Sequence, residues 1–123
     1  MTFNFKDALG VHADALQVRA DRTKVLAANI ANESTPGYTA RDIDFAAALQ
    51  QHVDSESGAG GAELSLGDGD PLYRVPYHPS VDGNTVEIGV EQAAFSQNAS
   101  DFQTSLTFVN MQLRGLAKAI NGQ

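Results

Sequence analysis

A chain of 123 residues with fifteen acidic and eight basic side chains is one domain's worth of protein, and its net charge of −7 argues against nucleic acid or an anionic membrane surface as the main partner. It has no cysteine, which excludes disulfides, thiolate metal sites and thiol catalysis. The acidity is confined to the middle: residues 1–41 hold five basic and four acidic side chains, residues 42–92 one and ten, and residues 93–123 two and one.

The opening stretch, MTFNFKDALG, has neither the basic start nor the apolar run of a cleaved secretory signal, so any export is expected to use a route without one. No segment is long and apolar enough for direct membrane insertion. Asn4 is placed as N-cap of a first helix, with Asp7 three residues on, running to about Ala31. Along it Leu9, Ala13, Leu16, Ala20, Thr23, Ala27 and Ile30 recur at steps of four and three, a heptad seam with alanine on one row.

The helix runs into ANIANESTPGY, residues 28–38. Asn29 and Asn32 share a helix face, Asn32 is suited to the left-handed conformation that ends a helix, and Thr35-Pro36-Gly37-Tyr38 suits a type II turn. A C-cap followed by a reverse turn leaves the two uncharged amides and the Tyr38 anchor unexplained. Next, Asp44 can cap a short helix, FAAALQQHV, with Phe45, Leu49 and Val53 on one face. SESGAGGAELSLGDGDP has too little apolar surface to offset the entropy of ordering it and reads as a flexible loop. VPYHPSVDGNTVEIG reads as extended, its Asp82-Gly83 turn suited to a small hairpin.

The last helix is expected over Val90 to Ile120, where Phe95, Ala99, Phe102, Leu106, Val109, Leu113, Leu116 and Ile120 keep the four-three rhythm and Asn121-Gly122 supply a stop. Its only charges are Glu91, Asp101, Arg114 and Lys118, and Thr104, Phe108, Met111 and Gly115 form a second stripe. The fold class is therefore mainly α, with long N- and C-terminal helices pairing as an antiparallel coiled coil around a short irregular or β-hairpin middle. We read a single domain over 1–123: an N-terminal helix in 1–32, the middle segment in 33–89 and a C-terminal helix in 90–123. Each seam can meet the other or a neighbouring subunit. The seam alone is too little to stabilise an isolated pair, since burying each side chain contributes roughly 1.5–3 kcal/mol and ordering each residue's backbone costs about 1–2 kcal/mol.

Helix, ANIANESTPGY and C-terminal heptad helix together resemble the axial proteins of the bacterial flagellum, whose rod and hook subunits share an asparagine-rich motif at this place. The continuation TARDIDF and the later YRVPYHPSVDGNTVEI are similar to the proximal rod subunits in particular. The resemblance covers nearly the whole chain apart from the Gly-rich loop, which is short for the family. Glu33-Ser34 and Gly89 stand where the family pattern has Ala-Asp and Asp, the second at the expected cap of the last helix. It implies a structural subunit of the basal-body rod, exported by the flagellar type III apparatus and assembled in the periplasm around a central channel. Its terminal helices would form the tube wall, and Asn29, Asn32, Thr35, Pro36, Gly37 and Tyr38 would fix where the chain leaves it. Implied partners are copies of itself, other rod subunits, and at the rod base the rod–ring adaptor and the membrane ring or export gate. On this reading Leu9, Leu16, Ile30, Phe95, Phe102, Leu106, Val109, Leu113, Leu116 and Ile120 are assembly positions, with Phe108 and Met111 a second contact face.

Other chemistry has little support in the sequence. His12, His52 and His78 lie in separate segments without metal-ligand spacing. Asp42/Asp44 and Asp68/Asp70 do not continue into a calcium loop, and capping and solvation explain them better. Gly58, Gly60 and Gly61 are not followed by a phosphate-binding Gly-Lys-Ser/Thr, and Leu64-Ser65-Leu66-Gly67 lacks the first glycine of a nucleophile elbow. No cofactor or catalytic residue is assigned. The competing non-enzymatic reading is a soluble helical adaptor or export chaperone, which would be a stable dimer.

Overall fold

The computed structural model describes residues 5–57 and 71–122. Asn4 and residues 58–70 of the Gly-rich acidic segment, with Asp68 and Asp70, lie outside the described residues, while Ser55, Glu56 and Ser57, expected in that loop, continue a helix. Helix α1 spans Phe5–Ala31 and is kinked at Gly10, whose φ of 5° and ψ of −108° interrupt the helical backbone. Strand β1 is Arg41–Asp42, helix α2 Phe45–Ser57, strand β2 Leu72–Tyr73 and helix α3 Ile88–Asn121.

Local chemistry accounts for the helix ends. Asp44 Oδ1 accepts from Ala46 N at 3.0 Å and Ala47 N at 3.2 Å, capping α2. Helix α3 starts two residues before the expected Val90: Glu87 is its N-cap residue, without a side-chain cap bond, so Gly89 sits inside the first turn rather than at the cap. At the other end Gly122 takes φ 68°, its N–H donates to Lys118 O, and Lys118 lies in the last turn where the helix dipole favours a cation.

Helices α1 and α3 pack antiparallel in one register: Asn29 meets Glu91, Thr23 meets Asn98, Arg19 meets Asp101, and the His12 and Phe108 rings stack at 5.8 Å. The core between them is thin. Among the described residues the buried apolar ones are Ala15, Val18 and Leu26 of α1 with Ala40 and Ala48 from the middle segment, and beside Leu26 the largest fully buried side chains are Glu91, Asn29 and Asn98. Glu91, Asn98, Ser105 and Gln112 stand seven residues apart, so a polar row of α3 lies along the pair. The first two are wholly buried, and Gln112 Oε1 is buried as well.

The two-stranded ladder is long-range rather than a local hairpin. β1 pairs antiparallel with β2, Arg41 opposite Tyr73 and Asp42 opposite Leu72. The expected Asp82-Gly83 turn exists, with Gly83 at φ 77°, but it docks on the turn after α1 instead of joining two strands.

Candidate functional site

Two arrangements converge where α1 ends and α3 begins, and a third runs along the helix pair. The first is the turn. Gly37 takes φ 74° and Tyr38 N donates to Thr35 O at 3.3 Å, with Pro36 ahead of Gly37, which is the type II pattern. Asn32 corrects the expectation made for it: among the described residues no residue other than glycine has a positive φ. Asn32 instead uses its side chain, Nδ2 donating to Ala28 O at 2.8 Å and Oδ1 accepting from Thr35 Oγ1 at 3.1 Å. Its carbonyl is met from outside. Asn84 Nδ2 lies 3.0, 2.7 and 2.8 Å from Asn32 O, Glu33 O and Thr35 O and shares its two hydrogens among these turn carbonyls just beyond the helix end. Gly37 N donates to Asp82 O and Thr85 N to Tyr38 O, so VDGNT clamps TPGY from across the chain.

The second is a polar cluster. Asn29, fully buried, donates through Nδ2 to Arg41 O at 2.6 Å and Glu91 Oε2 at 2.9 Å, while its Oδ1 accepts from Arg41 N at 3.1 Å and Tyr38 Oη at 3.3 Å. Glu91 Oε1 accepts from Arg74 Nη1, and Arg74 Nη2 donates to Asp42 Oδ2 at 2.9 Å. Arg22 completes the chain, with Nε and Nη2 donating to the two Asp42 oxygens at 2.8 and 2.9 Å. Burial, the largest single influence on Asp42, pushes its carboxyl up, but hydrogen bonds and charge from Arg22, then Arg74 and the Ile43 N–H, outweigh it and hold it below the ordinary carboxylate value. Arg22 is raised, first by its hydrogen bond to Asp42. One cluster thus ties α1, the turn, β1, β2 and α3 together.

The third is the face left uncovered. Among the described residues the buried α1 positions are Ala15, Val18, Leu26 and Asn29, and Leu9, Leu16 and Ile30 are half-buried beside them. On α3 the row Phe95, Phe102, Val109 and Leu116 is half-buried, as is Leu106, whereas Leu113 and Ile120 are 43% and 70% exposed. Phe108 and Met111 are also exposed, although Phe108 stacks on His12. Arg22, Asp42, Arg74, Asn84, Glu91 and Asn98 were missed as a group by sequence reasoning. The available signal was Glu91, a rare charge in a low-charge helix, with Asn98 one heptad on.

Among the described residues no group of His, Asp and Glu has a metal-binding arrangement, and no helix is long and apolar enough to cross a membrane.

This turn between two long terminal helices coincides with a known signature: residues 9–39 match the family model described as flagella basal body rod protein. The chain is thus of the rod-protein class. Similarity extends over nearly all of it to curated proteins called flagellar basal body rod protein FlgB. That of Cereibacter sphaeroides is 45% identical over 97% of this chain and 98% of the relative. Those of Aeromonas hydrophila and Salmonella typhimurium are 41% and 42% identical, covering 100% and 94% of this chain and 99% and 94% of theirs. The chain belongs to the FlgB family of flagellar basal body rod proteins, a structural family.

Proposed function

We propose that this chain is a structural subunit of the proximal rod, a single domain over 1–123 assembling through its terminal helices into a tube that surrounds the export channel and transmits torque. The observation that carries this reading is the unfinished burial of the α1–α3 pair. Leu113, Ile120, Phe108 and Met111 remain exposed on a helix with few charges, as a subunit surface must be if neighbours are to cover it. Its partners on this reading are copies of itself, the next rod subunits, and at the rod base the rod–ring adaptor and the membrane ring or export gate.

The turn held by Asn29, Asn32, Thr35, Pro36, Gly37 and Tyr38 acts as a rigid exit from the tube wall, because the Asn84 clamp and the Asn29 cluster fix both ends of it. The test is recovery of the chain in detergent-washed basal bodies by mass spectrometry, compared with a strain lacking the gene. Presence in the wild type and loss of the rod in the mutant is the expected result. A wild-type basal body without this chain, with the protein retained in the cytosol, overturns the reading.

A further inference from the structure

Beyond the terminal helices, the extended segment leading into α3 carries a second exposed apolar surface. Leu72, Tyr73, Val75, Tyr77 and Val81 are all largely exposed, Tyr77 at 77%. Residues 71–81 contain no acid, and their one Lys or Arg, Arg74, is engaged inside the molecule by Asp42 and Glu91. Where this segment passes the start of α3 it leaves an open cleft of 310 Å³ lined by Tyr77, His78, Glu87, Ile88, Gly89 and Val90. Both carboxylate oxygens of Glu87 are buried there without a hydrogen-bond partner. A carboxylate withdrawn from water with no donor is costly unless a cation or donor reaches it.

The complementary surface lies on the same chain. From Phe102 to Gly122 α3 has no acid, and Arg114 and Lys118 flank the stripe of Phe108, Met111 and Gly115. Phe108 is 47% and Met111 55% exposed, and a Cβ added at Gly115 would meet nothing within 4 Å, so the stripe is open to an incoming segment. It cannot fold back onto the cleft of its own chain. Glu91 and Phe108 are seventeen residues apart on one helix, which at 1.5 Å per residue separates the two surfaces by about 25 Å.

We propose that the cleft beside Glu87 receives the C-terminal half of α3 from a second copy of this chain, Met111 packing on Tyr77 and the Glu87 side chain, whose oxygens are shielded in the free chain, turning into the cleft to meet the cation of Arg114 or Lys118. The contact is heterologous, each copy using its cleft on one neighbour and its α3 end on the other, and it therefore propagates. It rests on the rod-assembly reading and adds the pair of surfaces through which successive copies engage. Each side is smaller than the ~20–30 residues of a stable interface, so the contact is weak between free chains and gains strength by repetition.

The absence of cysteine makes disulfide trapping clean. Tyr77→Cys and Met111→Cys chains, each first shown by circular dichroism to keep native helix content, are mixed at high concentration under mild oxidation. The expected product is a mixed dimer at several times the yield of either homodimer. Adding Glu87→Lys to the first chain, or Arg114→Glu with Lys118→Glu to the second, should lower that yield about fivefold, and combining the reversed chains should restore it. No mixed dimer from native-charge chains, dominant homodimers, or reversed chains that stay as low together as apart each overturns the proposal. The basal-body measurement above can succeed while this one fails, so the two readings fall separately.

Discussion

Asn29 fills a site that neither a smaller nor a charged residue can fill, because its amide spends both ends. Nδ2 faces Glu91 Oε2 and Arg41 O, and Oδ1 faces Arg41 N and Tyr38 Oη. Asn29→Asp turns the donor into an acceptor and sets a second carboxylate against Glu91. We expect a loss of about 3 kcal/mol or more in chemical denaturation, with Asn29→Ala milder because it removes the group without adding charge. Asp42 carries the pH dependence of the same cluster. Its folded pKa lies below the unfolded one, so between the two the unfolded chain binds more protons and stability falls as pH drops. The stabilisation is complete above the ordinary carboxylate pKa and disappears as pH falls through the depressed folded value. An Asp42→Asn chain, weaker at neutral pH, should show a flatter decline of Tm below about pH 5. An unchanged slope would remove Asp42 from the acid response.

At the level of elements, the turn after α1 depends on glycine geometry and on a clamp from distant sequence. Gly37→Ala places a Cβ on a φ of 74°, at a cost of about 1–2 kcal/mol. Asn84→Ala removes the donor shared by Asn32 O, Glu33 O and Thr35 O, of which Asn32 O and Thr35 O keep the Thr35 and Tyr38 N–H groups, and should destabilise by about 1–2 kcal/mol, read as a lower urea midpoint with an unchanged slope. The extents of the helices were legible because caps and periodicity agree: Asp44, Gly122 and the four-three rhythm lie close to where the structure uses them. Which row of α3 faces α1 was less legible. Hydrophobic periodicity selects the rows Phe95, Phe102, Val109, Leu116 and Ala99, Leu106, Leu113, Ile120, of which the first is half-buried, whereas the polar Glu91, Asn98, Ser105 and Gln112 also run along the pair, two of them fully buried. No local pattern announces a buried polar row whose partners are Asn29, Arg74 and Thr23, residues far away in sequence. The same separation hid the β1–β2 ladder, since an Asp82-Gly83 turn gives no sign that it will dock on TPGY.

For the molecule as a whole, a thin core with polar side chains along its centre means that folding alone leaves little stability in reserve, and the exposed α3 residues hold unused burial energy for a neighbour. The polar row sets how the two helices meet more than it stabilises them: Asn98 ties to Thr23 Oγ1 and Arg19 O and fixes the register, while Gln112 Oε1 is buried without a partner. Gln112→Leu should therefore raise the Tm of the isolated chain by about 3–6 °C. Leu113 separates folding from assembly. It is 43% exposed and outside the buried interior of the pair, so Leu113→Asp should change the stability of the free chain by about 1 kcal/mol or less. In the rod the same aspartate would enter an apolar contact with no cation supplied for it, and its desolvation penalty recurs at every copy. The expected outcome is near-native helix content and Tm for the purified variant, normal expression, and no rods or swimming in cells, with Leu106→Asp giving the same cellular defect alongside a larger loss of stability because Leu106 is half-buried. Motile cells carrying Leu113→Asp would show that this row lies outside the assembly contact, whatever the stability of the chain.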